Sequence, residues 1–261
     1  MSESIRAVER ALDVLMCFSS HTPELTLTQI SELVGINKST VHRLLATLVA
    51  KRFVERDATT GAYRPGIRLI QTAFLTLEQN LLRRVASPYV HSLWEQHHEN
   101  VHLSVLDDTD VVYVDVMESP QLVRLAASPG QRLPAFCTAS GKAMLAFFPE
   151  EIVELILEHG MPGYTQKTIL SRAAFFEDIH EAREQGFAIS VQEFEEGINA
   201  IAAPIFSTNG KPVASLSIAG PAYRLTRERM IEISPDLISA AGVISREVEL
   251  AARPESGSPG L

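Results

Sequence analysis

The chain has 261 residues, 46% of them hydrophobic and 21% charged, with two cysteines and a formal net charge of -9. That balance suits a globular protein with ample core in one or two domains; no apolar run approaches the roughly 18 residues that span a bilayer, and the charged start (Glu3, Arg6, Glu9, Arg10, Asp13) lacks a secretory signal's apolar stretch. Cys17 and Cys137 have no metal spacing and no disulfide framework, so no metal or cofactor is expected and a reducing cytoplasm is the simplest setting.

Residues 5–19 read as an amphipathic helix with Ile5, Val8, Leu12, Leu15 and Met16 on one face. After the polar break SSHTPE, Thr26 and Gln29 form a capping-box pattern for a second helix with Leu27, Ile30, Leu33 and Val34 as its apolar positions. Gly35 ends it, because the turn needs a residue that tolerates positive φ. Asn37 or Ser39 caps a third helix, KSTVHRLLATLVAK, whose buried stripe is Val41, Leu44, Leu45 and Leu48. A hairpin follows: Phe53 and Val54, the turn DATTG, and a return strand over 62–64, closed by Pro65 and Gly66. The domain so formed spans 1–66. Residues 67–82 read as a linker helix with apolar positions for a partner chain, and the junction falls near 75–83.

The remainder, 83–252, reads as an α+β domain. A helix over 84–98 precedes strands at 101–106 and 111–117, joined by the turn DDTD. A short strand at 122–126 leads into the loop SPGQRLP. Helices follow at 140–147, 150–158 and 172–185, then strands at 187–191, 199–206 and 212–219, and a long helix over about 226–250. Strand pairs joined by tight turns, with helices gathered around them, differ from βαβ units. The tail RPESGSPGL, 253–261, reads as disordered.

Charge is unevenly spread. Residues 1–70 carry nine Lys or Arg against seven Asp or Glu, a local +2 that leaves -11 for the rest, and six of the nine fall between Arg43 and Arg68. A locally basic head on an acidic body fits nucleic-acid binding. Thr26 to Leu48 has the layout of a helix-turn-helix, which sets the N-terminal side chains of its second helix on base edges. Here those are Lys38, Ser39, Thr40, His42 and Arg43. Arg43 suits a bidentate contact to guanine, worth about 1–3 kcal/mol of discrimination. Lys38, Ser39 and Thr40 suit phosphate, aided by the helix N-terminus. Thr28 belongs to the same DNA-facing set, and Arg56 and Arg64 on the hairpin act as a wing. A small helical subdomain with a solvated polar face explains each signal singly; the wing, the positive cluster and the polar helix start agree on DNA.

The segments LTLTQISELVGINKSTVHRLLATL and FVERDATTGAYRPGIRL resemble the DNA-binding domain of IclR-family bacterial regulators. LPAFCTASGKAMLA, QEFEEGINAIAAPIF and ASLSIAGP are similar to three later segments of that family, in the same order, so the resemblance spans roughly 5–250. It implies a winged helix-turn-helix, a linker helix and a GAF/PAS-like domain that binds small metabolites, often carboxylates or aromatic acids. It also implies double-stranded operator DNA as partner, a homodimer or homotetramer, and no membrane. Carried over by position, Leu122, Leu125 and Leu133 form apolar walls of the effector pocket, and Ala139 and Ser140 offer backbone N–H groups. Ile198, Ala200, Ser217 and Ala219 line the opposite side. Ser190 stands where many relatives carry aspartate, and Ala200 and Ala219 where they carry cysteine and serine. With fewer polar side chains, the pocket implies an effector with an apolar or aromatic body and one anionic end.

Other signals carry less. SGKA at 140–143 resembles a phosphate-loop fragment, but Phe136 and Ala143 replace the glycine and the Ser/Thr that loop needs. His97, His98 and His102 are read as a solvated helix end rather than a metal site. EFEEG at 193–197 reads as a charged loop, and Trp94, Phe147 and Phe148 as core. No GxSxG elbow is present. The competing functions are a metabolite-binding enzyme with an N-terminal helical interaction domain, with Ser140 or Cys137 as nucleophile and no identified base, and a scaffold whose winged helix binds protein.

Overall fold

The computed structural model describes residues 5–19 and 22–252, and the expected disordered tail lies outside them. Contacts divide the chain into two compact units on either side of the bond between residues 79 and 80.

The first unit runs α1 (Arg6–Met16), α2 (Leu27–Val34), α3 (Lys38–Ala50), β1 (Val54–Arg56), β2 (Tyr63–Pro65) and α4 (Ile67–Gln79), with the two strands antiparallel. The start of α2 is fixed by the Thr26–Gln29 capping box: the Gln29 N–H donates to Thr26 Oγ1 at 3.3 Å and the Thr26 N–H donates to Gln29 Oε1 at 2.8 Å. Its end is fixed by Gly35 at φ 66°, a left-handed turn that a Cβ disfavours. Val14, Leu25, Ile30, Val41, Leu45, Val54 and Tyr63 form the core of this unit. Each fully buried aliphatic side chain contributes about 1.5–3 kcal/mol. Leu33, expected in the apolar stripe of α2, is instead exposed.

The expected linker helix over 67–82 is interrupted. Asn80 takes a non-helical conformation and its side chain accepts the Arg83 N–H at 3.0 Å, so a new helix, α5 (Leu81–His97), starts there. The second unit continues with β3 (Asn100–Asp107), β4 (Asp110–Met117), β5 (Arg132–Pro134), α6 (Ala139–Leu145), α7 (Glu150–Leu157), α8 (Arg172–Gln185), β6 (Ala188–Val191), β7 (Ile198–Phe206), β8 (Pro212–Pro221) and α9 (Arg227–Ala252). The strands form one sheet in the order β5-β4-β3-β8-β7-β6, with every pairing antiparallel. One face packs on α5 and α9 through Leu93, Leu103, Leu216 and Leu237. The other packs on α6, α7 and α8 through Met144, Leu157 and Phe175. This is the α+β architecture expected. No helix among the described residues is long and apolar enough to cross a membrane.

The strand expected at 122–126 does not form. The outer edge of β4 pairs instead with β5, which joins Val111 to Leu133. Arg132 secures that choice with ion pairs to Asp107 and Asp110. The 118–127 loop is tied down instead: Arg224 pairs with both oxygens of Glu99 and donates to the Val123 carbonyl at 2.9 Å, and the Asn100 amide donates to the Leu125 carbonyl at 3.0 Å.

Candidate functional site

The first surface is the start of α3. Asn37 Oδ1 accepts the Thr40 N–H at 2.9 Å and the Ser39 hydroxyl at 2.8 Å. The Ser39 donor is therefore committed to the cap, leaving only its lone pairs outward. Lys38, Ser39, His42 and Arg43 are exposed, Thr40 is half-buried, and Thr28 is exposed near the start of α2. Buried Val41 and Leu45 anchor the opposite face of the helix. The hairpin arginines are less free. Arg56 donates to the Gly61 carbonyl at 3.4 Å and lies 5.6 Å from the Tyr63 ring centroid. Arg64 pairs with Glu55 at 3.2 Å and Glu24 at 3.8 Å. These pairs are half exposed, so each is worth about 0–1 kcal/mol and yields readily to phosphate.

The second site is a cavity of about 290 Å3 on the α6 side of the sheet. Of the pocket residues expected from sequence, Leu125, Leu133, Ala139, Ser190, Ile198, Ala200 and Ala219 line it together. Three do not. Leu122 is 98% exposed on the loop that failed to become a strand. Ser217 is buried on β8 between His102 and Ala202. Ser140 is buried inside α6, with its hydroxyl 3.5 Å from that of Ser104. The Ser190 hydroxyl donates to the Cys137 carbonyl at 3.2 Å, so it braces the wall.

Sequence reasoning missed the polar and aromatic lining. Tyr113, Arg124, Gln131, Phe194 and Glu195 also face the cavity. Arg124, paired with Glu118 at 3.2 Å, brings a cation to its edge. Polar side chains that Ala200 and Ala219 lack, and that Ser190 commits to the wall, are thus supplied by β4 and the loops. The expectation of a pocket poor in polar groups considered only the later strands, and no motif marks residues 113, 124 or 131.

Lys142 follows Gly141 in the SGKA segment and is wholly buried, 2.6 Å from Glu193 Oε1 and 2.8 Å from Asp178 Oδ2. A Cβ on Gly141 would collide with the Ala135 carbonyl oxygen, so this glycine serves close packing of α6 against 135–137. Of the three histidines only His98 is the solvated helix end expected; it is exposed. The His97 side chain is 4% exposed beside Asp236, and His98 caps α5 at φ 56°. His102 is 1% exposed on β3, with its ring stacked on that of Tyr113. Burial pushes the Cys137 thiol up to about 12, and neighbouring Glu193 pushes the same way, which keeps it protonated and weakly nucleophilic. Among the described residues, the Ser140 hydroxyl has only that of Ser104 within hydrogen-bonding reach. No cluster of three His, Cys, Asp or Glu suited to a metal occurs among the described residues.

Residues 74–246 match the model of the family described as Bacterial transcriptional regulator IclR C-terminal, and residues 7–58 match the IclR helix-turn-helix domain. The chain is 30% identical over 243 residues to the HTH-type transcriptional regulator XynR of Escherichia coli (strain K12), covering 93% of this chain and 96% of that protein. It is 30% identical over 250 residues to the Transcriptional repressor IclR of the same strain, covering 95% and 90%. Among solved structures it is similar to an IclR transcriptional regulator from Alicyclobacillus acidocaldarius, with a TM-score of 0.86, 28% identity, and 94% and 100% of the two chains covered. It is also similar to an IclR homolog complexed with 4-hydroxybenzoate from Microbacterium hydrocarbonoxydans, with a TM-score of 0.81, 25% identity, and 93% and 98% covered.

Proposed function

The chain belongs to the IclR family of bacterial transcriptional regulators, and from that premise we propose that it binds its operator through α3 and the hairpin wing and is modulated by an organic acid with an apolar or aromatic body. Lys38 and Arg43 supply the DNA-facing charge, with Arg43 reading a base, Lys38 touching phosphate and His42 adding a polar ring beside them. Arg56 and Arg64 reach the backbone once their surface partners are exchanged. A regulator of bacterial DNA acts in the cytoplasm.

The observation that carries the effector reading is the mixed cavity. Leu125, Leu133, Ile198 and Phe194 give it an apolar body, and Arg124 gives it a cation. An anionic end beside Arg124 and a hydrophobic remainder match that lining. The relative solved with 4-hydroxybenzoate supports the same ligand class. Isothermal titration calorimetry across a panel of carboxylic acids tests it. Binding of aromatic or medium-chain acids is expected, and tight binding of glyoxylate- or pyruvate-sized acids alone would reject it.

Self-association completes the proposal. Val8, Leu12 and Met16 expose 54%, 53% and 81% of their surface along one side of α1, and Ile67, Ile70 and Leu75 are exposed on α4. A second copy of the chain is the occupant of these apolar stripes, because one winged helix reads too few base pairs and two-fold symmetry doubles the site. Light scattering of the DNA complex is expected to show a dimer or tetramer, and a monomer would contradict it.

A further inference from the structure

We infer that Tyr113, held in place by His102, is the residue that makes the cavity prefer an effector with a planar ring; this rests on the organic-acid reading above. The two rings lie 4.4 Å apart between centroids and 11° from parallel. Tyr113 lines the cavity while His102 lies behind it, 1% exposed. The register of β3 against β4 shifts between Leu103 and Ser104, and Ser104 pairs with Tyr113. Such an irregularity re-aims the side chains beside it.

The backbone of Tyr113 is equally constrained. Its N–H donates to the Gln131 carbonyl at 3.0 Å, and its carbonyl accepts the Gly130 N–H at 2.7 Å. The ring and the loop carrying cavity residue Gln131 therefore hold one position. No described residue hydrogen-bonds the Tyr113 hydroxyl, and burial keeps the phenol protonated, so it can donate to a polar substituent on a ligand.

His102 Nε2 is buried with no hydrogen-bond partner among the described residues. That arrangement is unfavourable for a polar ring. What His102 contributes in return is a flat surface, which makes it a positioning residue acting through Tyr113. A planar ring gains from an immobile aromatic wall, because offset stacking adds to burial by roughly twofold to tenfold in affinity.

Benzoate and cyclohexanecarboxylate share charge and size but differ in planarity. Calorimetry on the full chain is expected to show benzoate preferred by about twofold to tenfold. Tyr113→Leu is expected to bind both acids equally. His102→Ala is expected to weaken the preference and His102→Phe to restore it, with circular dichroism melts confirming that each variant is folded. Equal affinities in the wild type, or an undiminished preference in folded Tyr113→Leu, would overturn this inference alone. Failure of every carboxylic acid to bind the wild type would overturn the effector reading as well.

Discussion

Lys142 Nζ lies 2.6 Å from Glu193 Oε1, a buried ion pair that joins positions 51 residues apart. Lys142 sits on α6, whose first residue, Ala139, lines the cavity, and Glu193 immediately precedes cavity residues Phe194 and Glu195. The Thr168 hydroxyl donates to the Glu193 carbonyl at 2.7 Å and holds the same loop from the other side. One cation thus sets the distance between two parts of the cavity wall.

Lys142→Met leaves Glu193 and Asp178 without their shared cation. Breaking a buried pair from one side costs about 3–5 kcal/mol. Burial already raises the Glu193 pKa, with Lys142 opposing the rise. Without Lys142 it rises further, so the penalty is full at high pH and shrinks as acid protonates the carboxyl. Urea unfolding at pH 8 and pH 5 is expected to show the larger loss at pH 8.

Gly141→Ala drives a methyl group toward the backbone of Ala135, a neighbour that cannot rotate away. Overpacking of this kind costs about 1–3 kcal/mol or more. Thermal unfolding is expected to show that loss together with weaker effector binding, since cavity residues Cys137 and Thr138 lie between the two colliding segments.

His102 makes stability acid-sensitive. Burial lowers its pKa from 6.5 to about 4. The unfolded chain therefore takes up a proton below about pH 6.5 that the folded chain refuses, and stability falls with pH until the folded group titrates near 4. At about 1.4 kcal/mol per unit, the loss between pH 7 and pH 5 is about 2 kcal/mol. The difference between wild type and His102→Phe isolates this group, and its slope is expected to vanish in the variant.

Arg43→Ala tests the proposed base contact and is expected to leave the fold of α3 unchanged, since Arg43 is exposed and Val41 and Leu45 carry the packing. Fluorescence anisotropy is expected to show operator affinity reduced about tenfold to a hundredfold, with non-specific DNA affected much less. Equal loss on both would show that Arg43 touches only phosphate.

Local chemistry made much of this legible in sequence. Thr26 with Gln29, Gly35 and Asn37 act within a few residues of themselves, so the boundaries of α2 and α3 follow from capping rules. The alternation at 122–126 misled because Arg224 and Asn100, distant in sequence, take the carbonyls of Val123 and Leu125 and hold the segment as a loop. Tyr113 and His102 stack only because the pairing of β3 with β4 brings them together, and the adjacent register shift has no sequence signature. The role of Lys142 had no local signature either, because its carboxylate partners come from α8 and from the loop after β6.

Anisotropy of a labelled duplex from the promoter region adjoining the gene tests the central claim most directly, measured across a salt series with and without a saturating cavity ligand. Saturable binding that weakens steeply as salt rises is expected, with a midpoint that moves when ligand is added. Binding indifferent to salt, or a midpoint the ligand leaves unmoved, would contradict it.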